Sequence, residues 1–145
     1  MRARRSACLL VGLLLLVSGS RPAAAQELQP VLERVASALR RGDVGGISAL
    51  SARAGVSLDV DGRSVGPLGK RQTTAVLRRL FEDRESVAAN VNTIREVGGE
   101  PNRAFGEISW STRARGTTIP ERATVFVALV REENGWRVTE IRLLR

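Results

Sequence analysis

The sequence predicts an α+β domain, with its helices first and an antiparallel sheet after them. Two stretches, 28–39 and 73–81, place apolar residues at helical spacing, whereas from residue 90 onward the pattern is that of strands. The last two strands are joined by Arg131-Glu132-Glu133-Asn134-Gly135, and Asn-Gly supplies two residues that tolerate positive φ in a tight turn. Helices followed by a run of strands argue for α+β rather than a parallel α/β sheet.

The chain opens Met1-Arg2-Ala3-Arg4-Arg5, is apolar over 7–17 and reaches Ala23-Ala24-Ala25 before Gln26. A basic start, a short apolar centre and an Ala-x-Ala ending make a secretory signal peptide. The apolar part is short for a membrane span, and Arg21 and Pro22 follow it. The expected division is a signal peptide at 1–25 and one domain at 26–145, periplasmic or secreted, with no membrane attachment after cleavage. The only cysteine, Cys8, falls in the peptide, so no thiol, disulfide or cysteine metal site is expected in the domain. Removing Arg2, Arg4, Arg5 and Arg21, with no acid among the lost residues, lowers the formal charge from +8 to +4. That scattered excess, with few aromatics and no RNA-binding signature, argues against nucleic acid as a partner.

Within the domain, Leu28, Leu32, Val35 and Leu39 share one stripe. Pro30 suits a first turn and Gly42 an exit, which predicts a helix over 30–41. Asp43 can cap a short second helix through Ile47 and Leu50. Val56-Ser57-Leu58-Asp59-Val60 alternates and ends in Asp61-Gly62, a strand and its turn. Residues 64–68 can pair with it, and Pro67 confines them to a sheet edge. Over 70–84, Thr73, Val76, Leu77, Leu80 and Phe81 form one face. Burying its four large apolar side chains on the C-terminal strands should contribute about 1.5–3 kcal/mol each before entropy.

Strands are expected at 90–97, carrying Val91, Ile94 and Val97, and at 104–115. In the second, Gly106, Ile108 and Trp110 share a face opposite Glu107, Ser109, Ser111 and Arg113. A loop at 116–120 leads to 123–130, apolar almost throughout as in a strand covered on both faces, and then to the alternating 136–144.

Three stretches carry a family likeness: Ala38-Leu39-Arg40-Arg41-Gly42-Asp43; Lys70-x-Gln72-x-x-Ala75-Val76-Leu77-x-x-Leu80-Phe81; and Val127-x-Leu129 with Gly135-Trp136-Arg137-Val138-x-x-Ile141-Arg142. Together they span nearly all of 30–144. The chain resembles the nuclear transport factor 2-like, or cystatin-like, superfamily, and within it a bacterial family of exported domains of unknown function, DUF4783. The resemblance implies three N-terminal helices packed on a curved antiparallel sheet in a cone. It brings no activity with it.

Enzymes of that superfamily set acids, bases and donors inside the cone, commonly a carboxylate with tyrosine, or histidines. This chain contains neither His nor Tyr. The commonest base near neutrality and the phenol donor are therefore both absent. A non-catalytic domain is expected, with an Asp or Glu base in the cone as the third reading. Asp59-Val60-Asp61-Gly62 alternates carboxylates but lacks the later Glu of a calcium loop, so it reads as a strand-end turn, and neither metal nor cofactor is expected. Arg41-Gly42-Asp43 reads as a helix exit and cap, and Lys70 as a solvated lysine. Arg113, Arg115 and Arg122 flank the loop at 116–120, and Arg63 can approach from the short strands. With Trp110 beside them, these guanidiniums would suit a carboxylate or phosphate ligand at the cone mouth. Trp110 and Trp136 also sit at strand spacing beside apolar neighbours, the placement of core residues. Two readings follow: a domain that binds a small apolar or anionic molecule in the cone, or an interaction module whose open sheet face pairs with a partner or with another copy as a homodimer.

Overall fold

The computed structural model describes residues 23–145. The basic start and apolar centre of the expected signal peptide, with Cys8, lie outside the described residues. The first helix, α1 (Ala23–Arg41), starts earlier than the sequence pattern indicates and carries Pro30 inside it. Proline there removes one internal donor. Burial on both sides of it outweighs that loss, since Leu28, Leu32, Val35 and Ala36 are all 0% exposed. The short α2 (Val44–Ala49) is capped as expected, with Asp43 Oδ1 accepting the Gly46 N–H at 2.8 Å. A Cβ at Gly46 would stand 2.5 Å from that carboxylate, which accounts for a glycine inside so short a helix.

β1 (Val56–Val60) and β2 (Arg63–Leu68) form a hairpin turning on Asp61 and Gly62, at φ 52° and 78°. Two successive positive φ values are the mark of the type I′ turn, whose twist matches that of paired strands. The Asp59 carboxylate holds this turn, accepting the Gly62 N–H at 3.0 Å and the Ser64 hydroxyl at 2.8 Å. After α3 (Lys70–Glu82) come β3 (Arg84–Gly98), β4 (Arg103–Ala114), β5 (Glu121–Glu132) and β6 (Gly135–Leu144). The sheet runs β2-β1-β6-β5-β4-β3, leaving β2 at the edge that Pro67 requires. Neighbours are antiparallel except β1 and β6, which are parallel. The chain leaving α2 sets that direction, for Ser51 bridges Val138 and the Ala52 N–H donates to Val138 O at 2.8 Å.

β3 begins at Arg84, well before residue 90, because bulges hide its alternation. Register shifts against β4 leave Val87, Asn92 and Val97 as extra residues. Two of them, Val87 and Val97, are the exposed valines of this strand, and Val91 and Ile94, though three apart, both pack against the core. The β5–β6 turn also differs from expectation. Glu132 pairs with Gly135, so Glu133 and Asn134 are the central residues and only Gly135 takes positive φ, 102°.

The helices cover one sheet face. α1 comes closest at Gly106, where a Cβ would stand 2.5 Å and 2.7 Å from the two δ-carbons of Leu32. Leu32 thus fills the α1 side of the cone. β5 is not covered on both faces: Val125, Val127 and Leu129 are buried, but Thr124, Phe126, Ala128 and Val130 on the outer face are only half-buried. The burial expected for α3 is also incomplete. Leu77 and Thr73 are buried, whereas Val76, Leu80 and Phe81 are half-buried. This helix rests on α2, the β1–β2 hairpin and β3 rather than on the C-terminal strands. Phe81 reaches inward to β4, edge-on to Trp110 with ring centroids 5.5 Å apart.

Candidate ligand groove

The incomplete burial of α3 leaves a groove of about 720 Å³ between that helix, the β1–β2 hairpin and the start of β3. Its aliphatic wall has two sources. Val60 and Val65 come from the hairpin, and Val76 and Leu80 come from successive turns of α3. Arg63, Arg79, Arg84, Asp61 and Asp83 complete the lining. The type I′ turn places Arg63 opposite Val60, so a cation stands where the apolar wall begins.

Partners distinguish these charges. Asp61 faces Arg145 at 3.1 Å, and Arg84 faces Glu121 at 3.9 Å. Among the described residues no carboxylate lies within 4 Å of Arg63 or Arg79. The C-terminal end of α3, which would repel an anion through its free carbonyls, is covered by Arg115. That side chain donates from Nε to Glu82 O at 2.6 Å and from a terminal nitrogen to Phe81 O at 3.3 Å. An aliphatic wall with unpaired guanidiniums at its rim suits a small molecule with an apolar body and one anionic group.

The residues singled out from sequence fall into two pairs. Arg113 and Arg115 meet at Glu85, at 2.7 Å and 3.8 Å. An anion would have to displace Glu85 to use Arg113, and α3 carbonyls to use Arg115. Trp110 and Arg122 instead border a shallow hollow of about 550 Å³ on the outer face, with Asn90, Ser109 and Thr124. The Trp110 side chain itself is 1% exposed and donates from Nε1 to Ser86 Oγ at 2.8 Å. Arg63, expected to approach these arginines, lines the α3 groove. Sequence reasoning did not single out Arg79, Val76 or Leu80 as lining residues. The available signal was an arginine beside the helix stripe, with Asp83 four residues on, a feature shared by many solvated arginines.

No protein-family model and no curated protein matches the sequence. Solved structures do match. A DUF4783 family protein from Bacteroides ovatus superposes with a TM-score of 0.63 at 22% identity, over 76% of this chain and 90% of that one. A DUF4783 protein from Bacteroides uniformis gives 0.65 at 17%, over 78% and 94%. A domain of unknown function with a cystatin-like fold from Nostoc punctiforme gives 0.66 at 14%, over 87% and 79%. This chain therefore has the nuclear transport factor 2-like, cystatin-like fold and is similar in it to the DUF4783 proteins, the likeness that its own residues indicated.

Proposed function

We propose that this chain is an exported, non-catalytic domain that binds a small anionic molecule with an apolar body in the groove between α3 and the β1–β2 hairpin. The observation that carries the reading is the pairing of an aliphatic wall, half-buried at Val60, Val76 and Leu80 and exposed at Val65, with Arg63 and Arg79, two guanidiniums without a carboxylate partner among the described residues. Export rests on the basic, apolar and Ala-x-Ala pattern of 1–25. The non-catalytic reading rests on the lack of His and Tyr in the sequence. Titration calorimetry with decanoate, against decanol as the uncharged control, tests the binding claim. Decanoate should bind saturably, and Arg63→Ala with Arg79→Ala should weaken it at least tenfold. Equal binding of both compounds, or of neither, contradicts the reading. Recovery of a chain beginning at Gln26 from the periplasmic or culture fraction tests export.

A second reading, homodimerisation, is favoured by the outer sheet face. Phe105 and Phe126 there are half-buried and flank a small hollow with Glu140 and Arg142, and no helix of the described residues covers it. Sedimentation at high micromolar concentration should give a dimer that Phe126→Asp dissociates. A monomer at that concentration removes this reading and leaves the groove untouched.

A further inference from the structure

We propose, on the reading of the α3 groove as the binding site, that its ligand carries a cationic group as well as an anionic one. The two charges stand about one helical turn apart on an apolar body, which is the chemistry of a short apolar peptide with free ends. Two of the charged side chains in the lining already have a partner within the chain, Asp61 facing Arg145 at 3.1 Å and Arg84 facing Glu121 at 3.9 Å. Those that remain are Arg63, Arg79 and one acid, Asp83. Among the described residues no opposite charge lies within 4 Å of any of them. The groove therefore offers unpaired charge of both signs.

α3 sets these charges in order. Val76 and Leu80 stand on successive turns, and Arg79 and Asp83 each follow one of them by three residues, so a charged ridge runs beside the apolar one. Asp83 is the C-cap, and its αR backbone (φ −95°, ψ −1°) continues that ridge just past the helix. Arg79 and Asp83 are thus about 6 Å apart along the axis. An extended dipeptide spans about 7 Å. Its carboxylate can meet Arg79, with Arg63 of the hairpin wall, while its ammonium meets Asp83 and its side chains lie on the aliphatic wall. The helix itself gains nothing from an acid there, since a carboxylate at a C-terminus faces the negative end of the dipole. Arg115 meets the Glu82 and Phe81 carbonyls at that end, but its guanidinium pairs with Glu85, at 3.8 Å, rather than with Asp83. A ligand ammonium is the charge that both Asp83 and the helix end favour.

The test is titration calorimetry of the folded chain with leucyl-leucine at low ionic strength and about pH 6, well below the usual amino-terminal pKa. Two analogues of the same size serve as controls: isocaproyl-leucine, which lacks only the ammonium, and leucyl-leucine amide, which lacks the carboxylate. Leucyl-leucine should bind more tightly than isocaproyl-leucine by about threefold, the effect of a screened ion pair at an exposed carboxylate. It should also bind more tightly than the amide. Asp83→Asn should erase the first of these differences. That variant removes an acid from a helix C-terminus, so it should unfold no earlier than the parent. Binding of isocaproyl-leucine as tight as that of leucyl-leucine overturns the proposal, as does a preference that survives Asp83→Asn. Either result leaves the groove reading in place when decanoate binds. Failure of decanoate and of all three leucine compounds removes the groove reading, and this proposal with it.

Discussion

Replacing Gly106 by alanine tests the close approach of α1 to β4. The added methyl would sit 2.5 Å, 2.7 Å and 3.2 Å from Leu32 Cδ1, Cδ2 and Cγ. Leu32 is 0% exposed in a core with Leu28 and Val35, so its side chain has no solvent-facing rotamer to retreat into, and α1 must lift from β4. Overpacking of this kind costs about 1–3 kcal/mol. Gly106 does not have a positive φ, so alanine also recovers roughly 0.4–1 kcal/mol by restricting the unfolded chain. The expected net loss is about 1–2 kcal/mol, a fall in Tm of several degrees, read by denaturant and thermal unfolding. Leu32→Ala alone should cost about 2–5 kcal/mol through the cavity it opens. Combined, the two should cost less than their sum, because the alanine methyl then fills part of that cavity. A Gly106→Ala variant as stable as the parent, or strictly additive costs, refutes the packing argument.

Asp59→Ala removes the acceptor for both Gly62 and Ser64 and should cost about 1 kcal/mol in urea unfolding, whereas Asp59→Asn, which keeps an acceptor oxygen, should cost less. Arg115→Ala uncovers the Glu82 and Phe81 carbonyls. Since that side chain is exposed, the global loss should stay near roughly 0.5 kcal/mol, with faster amide exchange confined to the last turn of α3. Trp110→Phe removes the indole donor to Ser86 and leaves space beside Phe81, for a loss of about 1–3 kcal/mol in the same unfolding assay.

The two tight turns show where local sequence decides and where it does not. Asp61-Gly62 adopts positive φ at both positions, as its residues suggest, and fixes a two-residue hairpin. Asn134-Gly135, the stronger signal by composition, is displaced by one residue, because the register that buries Val138 and Trp136 pairs Gly135 with Glu132. Pro30 marks a helix start in isolation, but the stripe through Leu28 and Leu32 carries the helix past it. Bulges in β3 turned a long strand into a pattern that alternates only in part.

The candidate site was harder to read for a related reason. Periodicity identifies the apolar face of α3, yet it carries no information on how much of that face meets a partner. The half-burial of Val76 and Leu80 follows from the placement of the β1–β2 hairpin beside β6. In the same way Arg113 and Arg115 look free in sequence, and the pairing of β3 with β4 brings Glu85 to both of them.

The most direct test of the central claim is native mass spectrometry of the chain purified without denaturation from the cells that produce it. The groove reading predicts a releasable anionic adduct of low mass on the wild-type chain, absent when Arg63 and Arg79 are both alanine. An adduct that survives both substitutions, or a bare wild-type chain that also takes up no decanoate, would contradict it.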